Sequence, residues 1–292
     1  MLPMTLSRYT TAMSRTVLSA LALTSLAACG ESGPTLNTVT DLAYVRVVNA
    51  IPDTGIMVYK FSDRLENPFD ANGTGFRTAS AYGGYRAGVR TLRAFMLNAA
   101  GSLTIASGAP IVDEQVTLQP NVYYTIVHYG RAIPATADSI ALIVDSIPTT
   151  SVLASNIAVR GLHYASGVGA VDVLATRRAG DALPATPAFA NLQYRASTGN
   201  TYTIRTAADS IAARVRVVAA PTVVLSAQGP NGEAGTVERN PLSGVRIAGT
   251  ALSVIAFPAP RTAATRATAA DTLPTIRWFV DGRAAETQPV VR

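Results

Sequence analysis

The sequence of 292 residues contains one cysteine, one lysine and two histidines, and only 14% of its residues are charged. The motif Gly-x-Ser-x-Gly is absent, and with it the usual nucleophile turn of serine hydrolases. No segment after residue 28 combines an apolar period of 3.6 residues with capping residues, which argues against helices in the body of the chain. The net charge of +6 is carried by single, scattered arginines. An excess so small and dispersed does not indicate nucleic-acid binding, and these arginines are expected on solvated strand faces.

The single cysteine, Cys29, follows a run of apolar and small residues, 16–28, which is preceded by Arg8 and Arg15 and by no acidic residue. A charged segment followed by such a run is typical of a signal peptide. As a helix the run would span only about 20 Å, too short for the ~30 Å hydrocarbon core of a membrane. The sequence Leu26-Ala27-Ala28-Cys29 resembles the lipobox of bacterial lipoproteins. The resemblance implies that Cys29 carries a diacylglycerol and becomes the first mature residue; the alternative is an ordinary secretory signal.

Residues 29–41 are rich in Gly, Pro, Thr and Asn and predict a flexible tether between the lipid and the folded body. Gly30 follows the cysteine, at the position where an aspartate marks retention in the inner membrane of enteric bacteria. We therefore expect a lipid-anchored protein of the cell envelope, at the outer membrane or cell surface if the organism has two membranes.

Short strands are predicted through most of the remaining sequence. In residues 201–206, TYTIRT, apolar and polar side chains alternate as in a half-buried strand. Other segments rich in β-branched and aromatic residues are YVRVVNA (44–50), TLRAFML (91–97), SLTIAS (102–107), VYYTIVHY (122–129) and SIALIVDS (139–146). The connections between the predicted strands are short. They favour an antiparallel fold, because parallel strands would require helical crossovers. The predicted fold class is all-β, with tandem antiparallel β-sandwich (Ig-like) domains after the signal peptide.

An internal repeat divides this β-rich region. Residues 44–48, YVRVV, match residues 158–162, AVRGL, and residues 140–145, IALIVD, match residues 276–281, IRWFVD. The second copy is longer, mainly through residues 258–274, which are expected to form a long hairpin loop. The predicted organisation is a signal peptide (1–28), a tether (29–41), a first β-sandwich domain (42–147), a linker (148–156), a second and divergent β-sandwich domain (157–284) and a tail (285–292).

The first copy resembles the family called domain of unknown function 4397, which occurs mostly in exported bacterial proteins. The matching residues are Val45–Ala50 followed by Pro52 and Asp53, Ser80–Tyr82, Ala87 and Gly88, and Tyr124–Val127. The second copy keeps Val171-Asp172-Val173 but has His163-Tyr164-Ala165-Ser166 in place of the turn. The resemblance implies an exported β-sandwich domain, and it brings no catalytic residues.

Few side chains are candidates for chemistry. Asn49 and Asp53 are expected to cap backbone amides of a tight turn, with ligand binding as the alternative. His128 and His163 lie in apolar segments and are expected to be hydrogen-bonded core or edge residues. The best set of hard oxygen ligands for calcium is Asp63, Glu66, Asp70 and Asn72, whose spacing fits no EF-hand.

The sequence therefore favours a binding or structural module over an enzyme, and it predicts no catalytic residue, no cofactor and no metal. The expected partners are the membrane, through a covalent lipid at Cys29, and an envelope protein or glycan. The expected contact regions are the loops 63–75, with Phe69, and 258–274, with Arg261 and Arg266. The alternative is a carbohydrate-active or other hydrolase on a β-scaffold, which would need a carboxylate pair such as Asp113 or Glu114 with Asp145.

Overall fold

A computed structural model describes residues 41–65, 73–97, 109–132, 137–148, 156–176, 181–195, 202–206, 212–228, 249–262, 265 and 273–283. All of these residues fall in one compact unit that begins at Asp41. The predicted signal peptide, the tether before residue 41, most of the linker and the C-terminal tail lie outside the described residues. In the described ranges, no helix has the length and apolar character required to span a membrane.

The regular structure of the described residues consists of β-strands. They are β1 (Leu42–Asn49), β2 (Met57–Phe61), β3 (Thr78–Ala79), β4 (Gly83–Arg86), β5 (Gly88–Met96), β6 (Val112–Leu118), β7 (Tyr123–Arg131), β8 (Ala137–Val144), β9 (Asn156–His163), β10 (Val171–Thr176), β11 (Phe189–Leu192), β12 (Thr203–Thr206), β13 (Ala212–Val217), β14 (Ala220–Gln228), β15 (Thr250–Phe257) and β16 (Thr275–Arg283). We call the described residues up to 148 the first half and those from 156 onward the second half.

The first half consists of two sheets packed face to face. One sheet has the order β3-β1-β7-β8, with β4 also paired to β1, and the other has the order β2-β5-β6. Side chains from both sheets form one buried cluster, in which Val45 and Ile126 from the first sheet lie with Tyr59, Leu92 and Val116 from the second. The alternating apolar residues of each strand supply these inward side chains, so the half is a β-sandwich with its own core.

The second half repeats this strand order. The order β12-β9-β15-β16 corresponds to β4-β1-β7-β8, and β10-β13-β14 corresponds to β2-β5-β6. A short parallel pairing of β14 with β16, at Ala227 and Ile276, joins the two layers into one eight-stranded sheet. The core of this half includes Val159, Val215 and the only tryptophan of the chain, Trp278.

A third apolar cluster is shared by the two halves. The first half contributes Val48, Ala50, Val127, Tyr129 and Ile143, and the second contributes Leu162, Tyr164, Ile255 and Phe257. The rings of Tyr129 and Tyr164 lie 5.3 Å apart, one from each half. The halves are therefore joined by a buried contact in addition to the covalent linker.

The predicted all-β class is confirmed, and the predicted strands at 44–50, 91–97, 122–129, 139–146 and 201–206 lie on β1, β5, β7, β8 and β12. The segment 102–107 lies outside the described residues. The prediction of a purely antiparallel fold is wrong at three strand pairs, because β1 pairs in parallel with β7, β9 with β15 and, over a short stretch, β14 with β16. The chain passes through the other sheet between the strands of the first two pairs, so no helical crossover is needed. The Ig-like assignment and the two-domain boundaries stay predictions.

Candidate functional site

Eight polar side chains meet where the two halves touch, and we call them the polar cluster. They are Arg46, Tyr82, Thr125 and Asp145 from the first half and Arg160, Tyr202, Ser253 and Asp281 from the second. The two sets occupy matching places in the repeated fold. Arg46 pairs with Thr125 across β1 and β7, as Arg160 pairs with Ser253 across β9 and β15.

Arg46 reaches from the first half into the second. Its Nε donates to Thr125 Oγ1 over 2.9 Å within its own half. Its Nη1 donates to the carbonyl oxygen of Val280 over 3.0 Å, and its Nη2 donates to Asp281 Oδ1. The guanidinium also lies over the ring of Tyr82, 4.8 Å from the ring centre. A strand residue of the first half is thus bound by charge to the last strand of the second.

Arg160 makes the reciprocal contact. Its Nε donates to Ser253 Oγ over 2.7 Å, and its Nη2 lies 2.6 Å from Oδ1 of Asp145 in the first half. Its guanidinium lies 5.1 Å from the ring centre of Tyr202. Each half therefore supplies the arginine that pairs with the carboxylate of the other.

Each carboxylate is also held by two hydroxyl groups of its own half. Asp145 Oδ2 accepts from Thr125 Oγ1 and from the Tyr82 hydroxyl, both over 2.7 Å. Asp281 Oδ2 accepts from Ser253 Oγ and from the Tyr202 hydroxyl, again both over 2.7 Å. These bonds position the carboxylates for the arginines opposite, because charge-assisted hydrogen bonds are short and directional.

The charged side chains of the polar cluster are removed from solvent. The side chains of Arg160, Asp145 and Asp281 have no exposed surface, and that of Arg46 is 2% exposed. Burial acts to lower the pKa of each arginine, but the neighbouring tyrosines and aspartates more than offset it, so both pKa values are raised. Burial raises the pKa of the Tyr82 and Tyr202 hydroxyls. The arginines therefore stay charged and the tyrosines stay neutral.

The histidines occupy two further buried positions, as the sequence predicts. The Tyr59 hydroxyl and His128 Nδ1 lie 2.9 Å apart, and His128 Nε2 lies 2.9 Å from Asp138 Oδ2. His163 Nε2 lies 3.0 Å from the carbonyl oxygen of Gly169. Burial lowers the pKa of His163, an effect that its backbone hydrogen bonds only partly oppose. Tyr59 and both histidines are buried, so their hydrogen bonds serve the core.

In the turn after β1 the predicted local capping is found for Asn49, whereas the amide bound by Asp53 is distant in sequence. Asn49 Oδ1 accepts from the amide of Ile51 over 3.0 Å, and Asp53 Oδ1 accepts from the amide of Ala132 over 3.0 Å. Asn49 is fully buried and Asp53 is 7% exposed. Asn49 thus satisfies a local amide, as turn-forming Asn residues do, whereas Asp53 connects the turn to the residue after β7.

The predicted contact loop 258–274 is attached to the first half at both ends, through Pro52 of this turn and through Arg77. The amide of Arg261 and the hydroxyl of Thr265 both donate to the carbonyl oxygen of Pro52, over 2.8 and 2.7 Å. Arg77 Nη2 donates to the carbonyl oxygens of Pro258 and Leu273, each over 2.7 Å. Arg261 is exposed, whereas Arg266 lies outside the described residues. Both ends of a loop from the second half are thus fixed on the first.

The other candidate carboxylates lie in different surroundings. Asp113 and Glu114 are exposed on β6, where Asp113 pairs with Arg93 over 3.0 Å. Asp145 is instead buried in the polar cluster. Asp63 Oδ2 accepts from Arg90 Nε over 2.8 Å, while Glu66, Phe69, Asp70 and Asn72 lie outside the described residues. Among the residues that are described, no three His, Cys, Asp or Glu side chains are grouped to hold a metal ion.

The polar cluster is not among the sequence predictions, because the arginines are expected there on solvated strand faces. That expectation is wrong for Arg46, Arg77, Arg90, Arg160 and Arg214, which are buried. Three of these have an acidic partner that is distant in sequence: Asp281 for Arg46, Asp63 for Arg90 and Asp145 for Arg160. One signal was present in the sequence, since the repeat aligns Arg46 with Arg160 and Asp145 with Asp281.

Comparison with known proteins finds a similarity to a family model that covers part of the chain. No curated protein matches the chain. The model of one family, described as "Domain of unknown function (DUF4397)", matches residues 43–174. This range begins in β1, contains Arg46, Asp145 and Arg160, and ends in β10. The match agrees with the resemblance that the strand and turn residues of the first copy carry.

Proposed function

We propose that this chain is a lipid-anchored protein of the cell envelope, and that its two halves act as one rigid module with a binding or structural role and no catalytic activity. The observation that carries the proposal is the reciprocal pairing of Arg46 with Asp281 and of Arg160 with Asp145. Buried charges of this kind are often signs of catalysis. Here each is bound by another member of the polar cluster, which assigns them to cohesion between the halves.

The lipid anchor is proposed from the lipobox-like sequence that ends at Cys29. A lipid at this position places the tether 29–41 next to the membrane and the folded halves beyond it. A single acyl signal binds membranes weakly, whereas two or more chains anchor a protein stably. Because Gly30 and not an aspartate follows the cysteine, the proposed location is the outer membrane or cell surface if the organism has two membranes.

The proposed contact region is the loop 258–274, and the expected ligand is an envelope protein or a glycan rather than a nucleic acid. The hydrogen bonds from Arg261 and Thr265 to Pro52, and from Arg77 to Pro258 and Leu273, support this assignment. A loop whose ends are fixed loses less conformational entropy on binding than a free one. Loops on a rigid β-scaffold are also the usual carriers of recognition residues.

The anchor is tested by labelling growing cells with a palmitate analogue and comparing the natural chain with Cys29→Ser. We expect label on the natural chain only, and we expect the variant to leave the detergent phase on phase separation. Label on the variant would rule out Cys29 as the attachment site.

The non-enzymatic binding role is tested with the purified full chain in detergent. Retention of defined cell-wall glycans and of envelope proteins is compared between the natural chain and a variant in which residues 266–272 are replaced by Gly and Ser. We expect retention of one ligand class and its loss in the variant. Retention that survives the replacement would exclude this loop, and turnover of a panel of glycosides and esters would exclude the non-enzymatic role.

A further inference from the structure

We propose that the face of the first half that carries Arg46 and Asp145 is self-complementary, and that it binds the same face of a second copy of this chain when the second half is displaced from it. The occupant is thus another copy of the first half. The proposal does not depend on the membrane anchor or on the proposed binding role.

The contact between the halves has the form of a two-fold interface. In such an interface residue i of one partner contacts residue j of the other, and j contacts i in return. Arg46 pairs with Asp281, the equivalent of Asp145, and Arg160 pairs with Asp145 itself. Each face therefore carries both the cation and the anion of the pair.

The apolar part of the contact between the halves has the same two-fold form. The register of the strands makes Val48 equivalent to Leu162 and Val127 equivalent to Ile255, because Val48 pairs with Val127 as Leu162 pairs with Ile255. Both residue pairs belong to the cluster shared by the halves. The further equivalent positions in that cluster are Ala50 with Tyr164, Tyr129 with Phe257, and Ile143 with Phe279. Every one of these positions is apolar or aromatic in both halves.

Two copies of the first half would consequently satisfy the buried charges of the face. Arg46 of each copy would meet Asp145 of the other, with Thr125 and Tyr82 holding that carboxylate as they do now. In two copies of the second half, Arg160 of each copy would meet Asp281 of the other in the same way. In the natural chain the linker keeps the two different halves at a high effective concentration, so the contact within one chain prevails.

The test uses the full chain with the charges of the second half inverted, Arg160→Asp with Asp281→Arg. Within one chain this variant places like charges together at both pairs, which opposes contact between the halves. Between chains, first half with first half and second half with second half remain matched in charge. We expect a folded protein that elutes with at least twice the monomer mass by light scattering and returns toward the monomer on dilution.

Two control variants test whether the mismatch of charges within one chain causes the association. Inverting all four charges, with Arg46→Asp and Asp145→Arg added, restores matched pairs within one chain, so we expect a monomer. Inverting the exposed pair Arg93 and Asp113 changes the charges without touching the contact, so we expect a monomer again. The proposal is overturned if the double variant is a folded monomer, or if it unfolds at every concentration while the fourfold variant folds.

A second measurement keeps every natural charge and decides the case in which both inverted variants unfold. A protease site is inserted between residues 148 and 156 of the full chain, which is then cut, concentrated and examined by native mass spectrometry. Pairs at twice the mass of the first half support the proposal. If the first half is found only alone or with the second half, the face does not bind its own copy and the proposal fails.

Discussion

Replacing Asp281 with asparagine is expected to destabilise the fold strongly although the two side chains have nearly the same shape. Asp281 Oδ1 accepts from Arg46, and Oδ2 accepts from Tyr202 and Ser253. An amide keeps an acceptor for the two hydroxyls but leaves the buried charge of Arg46 without its counter-ion. Removing one partner of a buried ion pair costs about 3–5 kcal/mol, because the remaining charge stays desolvated.

This cost can be measured by guanidinium unfolding followed through the fluorescence of Trp278. That residue is the only tryptophan, is 2% exposed and lies on the same strand as Asp281. A loss of this size corresponds to a decrease in melting temperature of about 6–20 °C for a body of this length. The matched control is Asp113→Asn, which removes the same charge from the exposed pair with Arg93 and should cost less than about 1 kcal/mol.

Equal losses in the free energy of unfolding for Asp281→Asn and Asp113→Asn would show that burial of the ion pair does not determine the cost. A second comparison separates the charge from the shape. Replacing both Arg46 and Asp281 with apolar residues, Met and Leu, removes the unpaired charge, and such exchanges are commonly neutral or stabilising. We therefore expect the double variant to be more stable than Asp281→Asn alone.

Four further outcomes are expected. Asp145→Asn should reduce the free energy of unfolding by the same amount as the Asp281 variant to within about 1 kcal/mol, since the two sites repeat each other and their surroundings are matched. Because the pKa of His163 is lowered in the folded protein, the unfolded chain takes up a proton first as the pH falls below about 6.5. The free energy of unfolding should therefore decrease as the pH falls below that value. In urea titrations at several pH values, His163→Gln should make this decrease smaller. Gly161→Ala places a methyl group 3.0 Å from an aromatic ring of β11 and should destabilise by about 1–3 kcal/mol in thermal unfolding. Gly169→Ala, which meets nothing within 4 Å, should be neutral or slightly stabilising.

The strands could be predicted because their signal is local. The segment 122–129 is rich in β-branched and aromatic residues, and β7 covers Tyr123–Arg131. Alternation of side chains and β-propensity depend on neighbours within a few residues. The parallel pairing of β1 with β7 could not be predicted in the same way, because it depends on how the two sheets stack.

The polar cluster could not be predicted from local pattern. Arg46 lies between valines in β1, and the same pattern describes a strand with one solvated face or one that is covered on both faces. Its partner Asp281 is separated from it by 235 positions in the sequence. Only the repeat carries this information, because it places an arginine and an aspartate at matching positions twice.

The buried charges explain why the halves meet in one arrangement. An apolar contact such as that of Val48 with its neighbours is tolerant of small shifts, because hydrophobic burial is not directional. A buried arginine is stable only in contact with its carboxylate. A shift of one half along the other would separate the two groups and leave two desolvated charges unpaired. We infer that Arg46 and Arg160 fix the register of the two halves rather than add greatly to their affinity. The fixed register then places the turn at Pro52 under the loop that begins at Pro258, so the cluster in the interior determines the geometry of the proposed binding surface.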